Sequence, residues 1–405
     1  SLDAQRARSL ESTVRAAGTL FAKIEIPNVA TSKEVQAHVK ELLEQVSQEH
    51  EAATAATPAI LTQLVKDGGT IDRRYTQPFV ALREKVQVET EGIGGCRLGE
   101  VCGGGDGHGL LANNSSILER AGEEATADYG GEVVEMHLEH SKTGCSRYLD
   151  YAGTTRGSGI ESAKHLRQYW RRAGFKIDTV EREGVRISRP NFWVVRVSLL
   201  GIDRETGFDR FIAKVRGSKN PLLRWHVSST STKGRSRLAA TGSGSQERKY
   251  INVAGSYRED PDLESAREEL SQAGYRASIV PGPLLLASTG GRQQLPTLMP
   301  YAVSSAGTAT TELITLAHKE LVHKGVPDPH LEVEPGQEPK FSSHSLRRLA
   351  NTVARRDMVI TDTSEAEIDL YFGWQEKILL KAMQRHYEAM SVLMRMSKAK
   401  ITSLL

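Results

Sequence analysis

The chain has 405 residues, 39% hydrophobic and 25% charged, which is the balance of a globular protein with a buried core and excludes wholesale disorder. At roughly 100–200 residues per domain, two or three domains are expected. Its 53 basic and 50 acidic side chains leave a net charge of only +3, so a polyanionic partner would have to be met by local basic clusters.

Residues 3–22 and 32–52 carry helical periodicity. In the second stretch Val35, Val39, Leu42, Leu43 and Val46 fall on one face behind a Thr31-Ser32 cap. The small, polar run Ala52–Thr57 ends at Pro58 and marks a boundary. A new helix is expected to start at Pro58, because a proline in the first turn has no N–H to leave unpaired. Residues 76–102 predict buried helix interrupted at Gly92-Ile93-Gly94-Gly95. The glycine-rich stretch 103–109 predicts a loop that lacks the lysine and hydroxyl residue of a phosphate loop.

From Glu132 to Tyr151 the pattern changes to two strands around the polar turn Ser141-Lys142-Thr143-Gly144, the mark of a β-hairpin. A helix over 160–173 follows. A weak internal repeat then pairs Tyr148–Gly153 with Tyr250–Gly255, Glu161-Ser162-Ala163 with Glu264-Ser265-Ala266, and Ala173-Gly174-Phe175 with Ala273-Gly274-Tyr275, at an offset of about 100 residues. Helices are expected over 307–324, 343–357 and 364–396, with a proline-rich loop over 325–340.

The informative chemistry begins with His344-Ser345-Leu346-Arg347. On a helix, positions i and i+3 share a face, so an imidazole and a guanidinium project together. One can move a proton near neutral pH, and the other grips oxyanions with paired donors. Upstream stand Gly95-Cys96-Arg97-Leu98-Gly99-Glu100 and the hairpin lysine Lys142. Downstream come Phe372-Gly373-Trp374 and His386-Tyr387.

Arginine, lysine, His-x-x-Arg, Gly-Trp and tyrosine in this order resemble the tyrosine recombinase (phage-integrase) family over about residues 58–396. The resemblance implies a mixed α+β, mainly helical fold, with a catalytic domain bearing a small antiparallel β-sheet after a short helical N-terminal region. That gives a reduced core-binding region over 1–57 and a catalytic domain over 58–405, with a long insertion or repeat at about 175–305. It also implies roles. Tyr387 would attack a DNA phosphodiester, Arg97 and Arg347 would hold its non-bridging oxygens, and Lys142 would protonate the leaving 5′ oxygen. His344 would help remove the phenol proton, Trp374 would donate through its indole N–H, and Glu100 would orient Arg97 from one turn further along the helix. Lys233 is the second candidate for the lysine role.

The implied activity is site-specific recombination or integration, of the kind used by mobile elements, through a 3′-phosphotyrosine without metal, ATP or another cofactor. Alternatives are relaxation of the type IB topoisomerase kind, a DNA-binding descendant that no longer cuts, and an interaction protein with an accidental match. Double-stranded DNA is the expected partner, with a homotetramer on DNA. Lys164, Arg167, Arg171, Arg172, Lys233 and Arg235 are the basic residues expected to contact phosphates. The apolar stripe Met390, Leu393, Met394, Met396 and Ile401 would pack either on its own domain or on a neighbouring protomer. Cys96, Cys102 and Cys145 match no disulfide framework and no usual zinc spacing. The polar start of the chain and the lack of a long apolar run predict no membrane span. An intracellular location is expected, nuclear in a eukaryotic host.

Overall fold

A computed structural model describes residues 53–103, 109–120, 131–139, 146–200, 202, 206–223, 250–289, 294–333, 337–372 and 392–405. The expected helices over 3–22 and 32–52 lie outside them, as do most of the glycine-rich loop and the hairpin tip. By contacts the chain divides into two units, Ser1–Ala53 and Thr54–Leu405, and the second is described here. It mixes helices with antiparallel sheets.

Its centre is helix α3 (Pro78–Gly92), preceded by α1 (Pro58–Val65) and α2 (Thr70–Arg74). Thr57 caps α1, its Oγ1 accepting the Ile60 N–H at 3.2 Å, and Pro58 occupies the first turn. Every residue of α3 except Pro78 and Leu82 is buried, although the helix carries Arg83, Glu84, Lys85, Glu89 and Glu91. Several of these groups have partners close by, as buried charges require. Arg83 pairs with Glu84 at 2.6 Å and lies over the Tyr301 ring. Lys85 reaches Asp72 at 2.9 Å, and Glu89 meets His165 at 2.6 Å. Gln87 donates to Glu91 at 2.8 Å and to Thr310 at 2.6 Å.

After α4 (Leu98–Val101), strands β1 (Ser115–Glu119), β2 (Glu132–Leu138) and β3 (Arg147–Ala152) form the expected hairpin and its neighbour. Helix α5 (Ser162–Ala173) follows, then β4 (Lys176–Arg182) and β5 (Val185–Asn191). The five strands make one antiparallel sheet in the order β3-β2-β1-β5-β4. β4 and β5 are joined by Glu183-Gly184, both in the left-handed region at φ 55° and 72°, which is the backbone a two-residue hairpin turn requires. Residues 176–191, within the stretch expected as an insertion, are therefore part of the hairpin's own sheet.

A second antiparallel sheet, β7-β6-β8, combines β6 (Trp193–Ser198), β7 (Tyr250–Ser256) and β8 (Ala277–Pro281). Helices α6 (Thr206–Gly217) and α7 (Pro261–Gln272) close over it, around a separate core that includes Val195, Val197, Phe211, Val215, Ile251, Leu263 and Leu270. The sequence repeat falls on equivalent elements. β3-α5-β4 and β7-α7-β8 are each a strand–helix–strand run that links the two edges of its sheet. Gly174 and Gly274, at φ 78° and 85°, end the two helices in the left-handed conformation that favours glycine.

The short strands β9 (Leu286–Ser288) and β10 (Pro296–Pro300) pair with each other. The chain then continues through α8 (Val303–His323), α9 (His344–Arg356), α10 (Glu365–Phe372) and α11 (Val392–Met396), and closes with a 3-10 turn at Ser397–Thr402. The last segment covers the sheet face that α5 leaves open. Val392, Leu393, Met396 and Ala399 pack on Leu118, Val133, Ala152 and Val185. Backbone N–H groups of Arg156 and Ser158 bond the carbonyls of Ser403 and Leu405 at 2.8 and 2.9 Å. Of the predicted apolar stripe, the described side chains Leu393, Met396 and Ile401 thus meet their own domain. No described helix is long and apolar enough to cross a membrane.

Candidate functional site

The site forms where α3 ends. Gly95 has φ +68°, and a Cβ there would run into the Phe372 ring. Only glycine allows both the left-handed turn and the close approach of α10. The turn delivers Arg97 in extended conformation at the N-cap of α4. This corrects the expectation that Glu100 orients Arg97 along a shared helix. Instead Arg97 stands just outside, and Glu100 reaches back to it. The Arg97 backbone N–H donates to Oε2 of Glu100 at 2.9 Å, and its guanidinium donates to Oε1 at 2.9 Å. The four-residue helix leaves N–H groups without helical partners, and a side chain at the third position can satisfy one.

Arg347 enters from the first turn of α9. Its guanidinium donates to the carbonyls of Gly95 at 2.6 Å and Phe372 at 2.7 Å, and one nitrogen lies 3.9 Å from Glu100. A residue 250 positions from Arg97 therefore shares the same carboxylate. Phe372 directly precedes the Gly373-Trp374 pair, which lies outside the described residues.

A third guanidinium completes it. Arg147 opens strand β3 and donates to Oε2 of Glu100 at 2.9 Å and to the Tyr371 carbonyl. Sequence reading missed this role. Arg147 falls at the start of the second hairpin strand, and nothing local separates an arginine with a buried partner 47 positions upstream from one in solvent. Tyr371 is buried and packs there, with its hydroxyl 3.3 Å from the Asp150 carbonyl.

Charge is out of balance here. Among the described residues, three guanidiniums surround one carboxylate, a net +2 on groups that are 25% exposed at Arg97 and 10% or less at Arg147, Arg347 and Glu100. Burial alone would raise the Glu100 pKa. Arg147, the Arg97 N–H and the guanidiniums of Arg97 and Arg347 outweigh it and hold the carboxyl below its ordinary range. Burial, reinforced by the charges of Arg147 and Arg97, brings Arg347 down to about 10 despite Glu100. Burial also pushes the Cys96 thiol up to about 12, so Cys96 is a packing group and no thiolate at neutral pH. Such a cluster has the chemistry to receive an oxyanion, with Arg97 as its most accessible guanidinium.

His344 shares α9 with Arg347 but differs in environment. It is the first residue of the helix and exposed, and its imidazole has no partner among the described residues, while Arg347 is buried. Lys142, Trp374 and Tyr387 lie outside the described residues, as do Lys233 and Arg235. The four other basic candidates all sit on α5. Lys164 pairs with Glu161 at 2.5 Å, and Arg167 pairs with Glu132 at 2.6 Å and with Glu119. Arg171 and Arg172 are exposed, with no carboxylate partner among the described residues.

No family model matches the chain, and no curated protein does. Among solved structures, the "Flpe-Holliday Junction Complex" is 12% identical with a TM-score of 0.27, over 88% of this chain and 51% of that one. The "FLP Recombinase-Holliday Junction Complex I" is 12% identical with a TM-score of 0.28, over 86% and 50%. The chain spans about half the length of these structures, and the overlap is loose.

Proposed function

We propose that this chain cuts and rejoins DNA as a tyrosine recombinase. The observation that carries the reading is the gathering of Arg97, Arg147 and Arg347, from three distant parts of the sequence, on the single carboxylate of Glu100. Their excess positive charge calls for an anion, and a phosphodiester supplies one. Arg97 and Arg347 hold its non-bridging oxygens, where charge grows in the transition state. The Tyr387 hydroxyl attacks phosphorus and His344 helps take its proton. Lys142 protonates the departing 5′ oxygen, and Trp374 donates its indole N–H to the phosphate. A P–O bond to the 5′ oxygen breaks as the bond to tyrosine forms. The products are a 3′-phosphotyrosine and a 5′ hydroxyl. The ester link is retained, so a second hydroxyl can reverse the step without ATP or metal. Glu100 fixes the arginines. Site-specific strand exchange by a homotetramer on double-stranded DNA is the activity that follows.

Covalent capture tests this. The protein is mixed with nicked and supercoiled DNA in EDTA, quenched in SDS and assayed for protein-linked DNA. An adduct in the wild type that disappears in Tyr387→Phe is expected. An adduct that survives the substitution would move the nucleophile elsewhere, and one that requires added metal would overturn the mechanism. Firm binding without any adduct would favour a descendant that no longer cuts.

A further inference from the structure

A second basic site lies away from the Glu100 cluster, between α5 and the five-stranded sheet. On α5, Arg167, Trp170 and Arg171 occupy i, i+3 and i+4 and so share one face. On the sheet, Arg186 stands opposite Glu119 and Ser188 opposite Thr179. These residues line a cavity of about 300 Å³, near the lower end of the range for ligand pockets.

The cavity is ordered before any ligand arrives. One oxygen of Glu119 accepts from Arg167 and the other from Arg186, which fixes both guanidiniums along the wall. Arg167 is tied further to Glu132 at 2.6 Å. Arg171 is exposed beside them without a carboxylate partner among the described residues. Three guanidiniums thus line a cavity whose lining holds one carboxylate, Glu119. Burial, with the charges of Arg186 and Arg171, lowers the Arg167 pKa, as expected where positive charge is crowded. The hydroxyls of Thr179 and Ser188 lie 3.4 Å apart at the rim and add neutral donors. Trp170 and Ile177 give the cavity an apolar part that a bare inorganic anion would leave unused.

We propose that this cavity binds the phosphate of a nucleotide, with Arg171 and Arg186 as the accessible grips and Arg167 behind them. Guanidiniums suit this role because their paired donors match the spacing of phosphate oxygens. The nucleotide comes either from a nucleic-acid strand or from solution. None of these residues belongs to the Glu100 cluster; the strand arm rests on the DNA-binding reading, in which Arg167 and Arg171 are expected to contact phosphates, and the free-nucleotide arm does not.

The test uses the full chain. AMP is titrated calorimetrically, and a labelled short DNA duplex is titrated by fluorescence anisotropy, against the wild type, Arg171→Glu and Arg189→Glu. Arg189 lies on β5 at a position that alternates to the other face of the sheet, so its reversal changes net charge equally without touching the cavity. Arg171→Glu should melt at the wild-type temperature, since its side chain is exposed. It should weaken binding by about tenfold or more, the usual loss for a charge-assisted contact. A loss specific to Arg171→Glu for the duplex identifies a strand phosphate, and one for AMP alone identifies a free nucleotide. No loss for either probe, or an equal loss in Arg189→Glu, overturns the proposal.

Discussion

Glu100→Gln is the most direct perturbation of the cluster. The side chains are nearly the same size, so the change removes charge and one acceptor rather than volume. Both carboxylate oxygens are in use, with Oε1 taking Arg97 and Oε2 taking Arg147 and the Arg97 backbone N–H, each at 2.9 Å. Whichever way the amide turns, its NH2 group meets a donor. A charge pair near 4 Å, the Arg347 separation of 3.9 Å, is worth about 4 kcal/mol at an effective dielectric of ~20. Removing one member of a buried pair costs about 3–5 kcal/mol, because the other charge is left without compensation. Arg97 is partly exposed and contributes less.

Urea unfolding followed by circular dichroism should therefore show a loss of about 3–5 kcal/mol in chloride. The cluster would then carry +3 instead of +2, so phosphate should restore part of the loss. This gain is read as a difference from wild type, because phosphate stabilises folded proteins generally. The depressed Glu100 pKa adds a sign. The carboxylate's stabilisation is present above the ordinary carboxylate range and is lost as pH falls through its lowered value, so the wild type loses its advantage in acid. A loss below about 1 kcal/mol, the worth of a surface ion pair, with no response to phosphate would refute the argument.

Arg347→Lys should fail nearly as badly as Arg347→Ala, because one ammonium cannot bond the Gly95 and Phe372 carbonyls in the geometry of the planar fork; both should lower the cleavage rate at least about 10²-fold in single-turnover assays. Gly95→Ala should cost about 2–4 kcal/mol in urea unfolding, from the left-handed backbone and the clash with Phe372. Burial pushes the Glu91 carboxyl up to about 8, against the Gln87 hydrogen bond and with help from Glu84. Between about 4.5 and 8 the folded chain thus holds a proton that the unfolded chain has released, and Glu91 lowers stability as pH rises through that window. Glu91→Gln should remove this slope, gaining on the wild type by up to about 1.4 kcal/mol per pH unit; parallel melting curves across the window would contradict the assignment.

Local features of this protein were legible in its sequence because they depend on neighbours a few positions away. The start of α1 at Pro58, the break at Gly92–Gly95, the hairpin strands and the helix bearing His344 and Arg347 follow from periodicity, proline and glycine. The repeat at an offset of about 100 residues marked two strand–helix–strand runs. Other features left no local trace. The Glu183-Gly184 turn has a glutamate in the left-handed region, a conformation that residue seldom adopts. The burial of α3 is expected from its sequence, but the partners that meet its charges, such as His165 for Glu89 and the Tyr301 ring for Arg83, come from distant elements.

By itself, then, the sequence determined which titratable and polar side chains are available and the order in which they occur. It also determined the short-range geometry, such as the i, i+3 spacing that puts His344 and Arg347 on one helix. Tertiary structure alone decided which charges meet. It buried Arg347 and left His344 exposed, recruited Arg147, and set three guanidiniums against Glu100. The physical reason is that a buried charge is defined by its partners, and here those partners come from parts of the chain up to 250 residues apart.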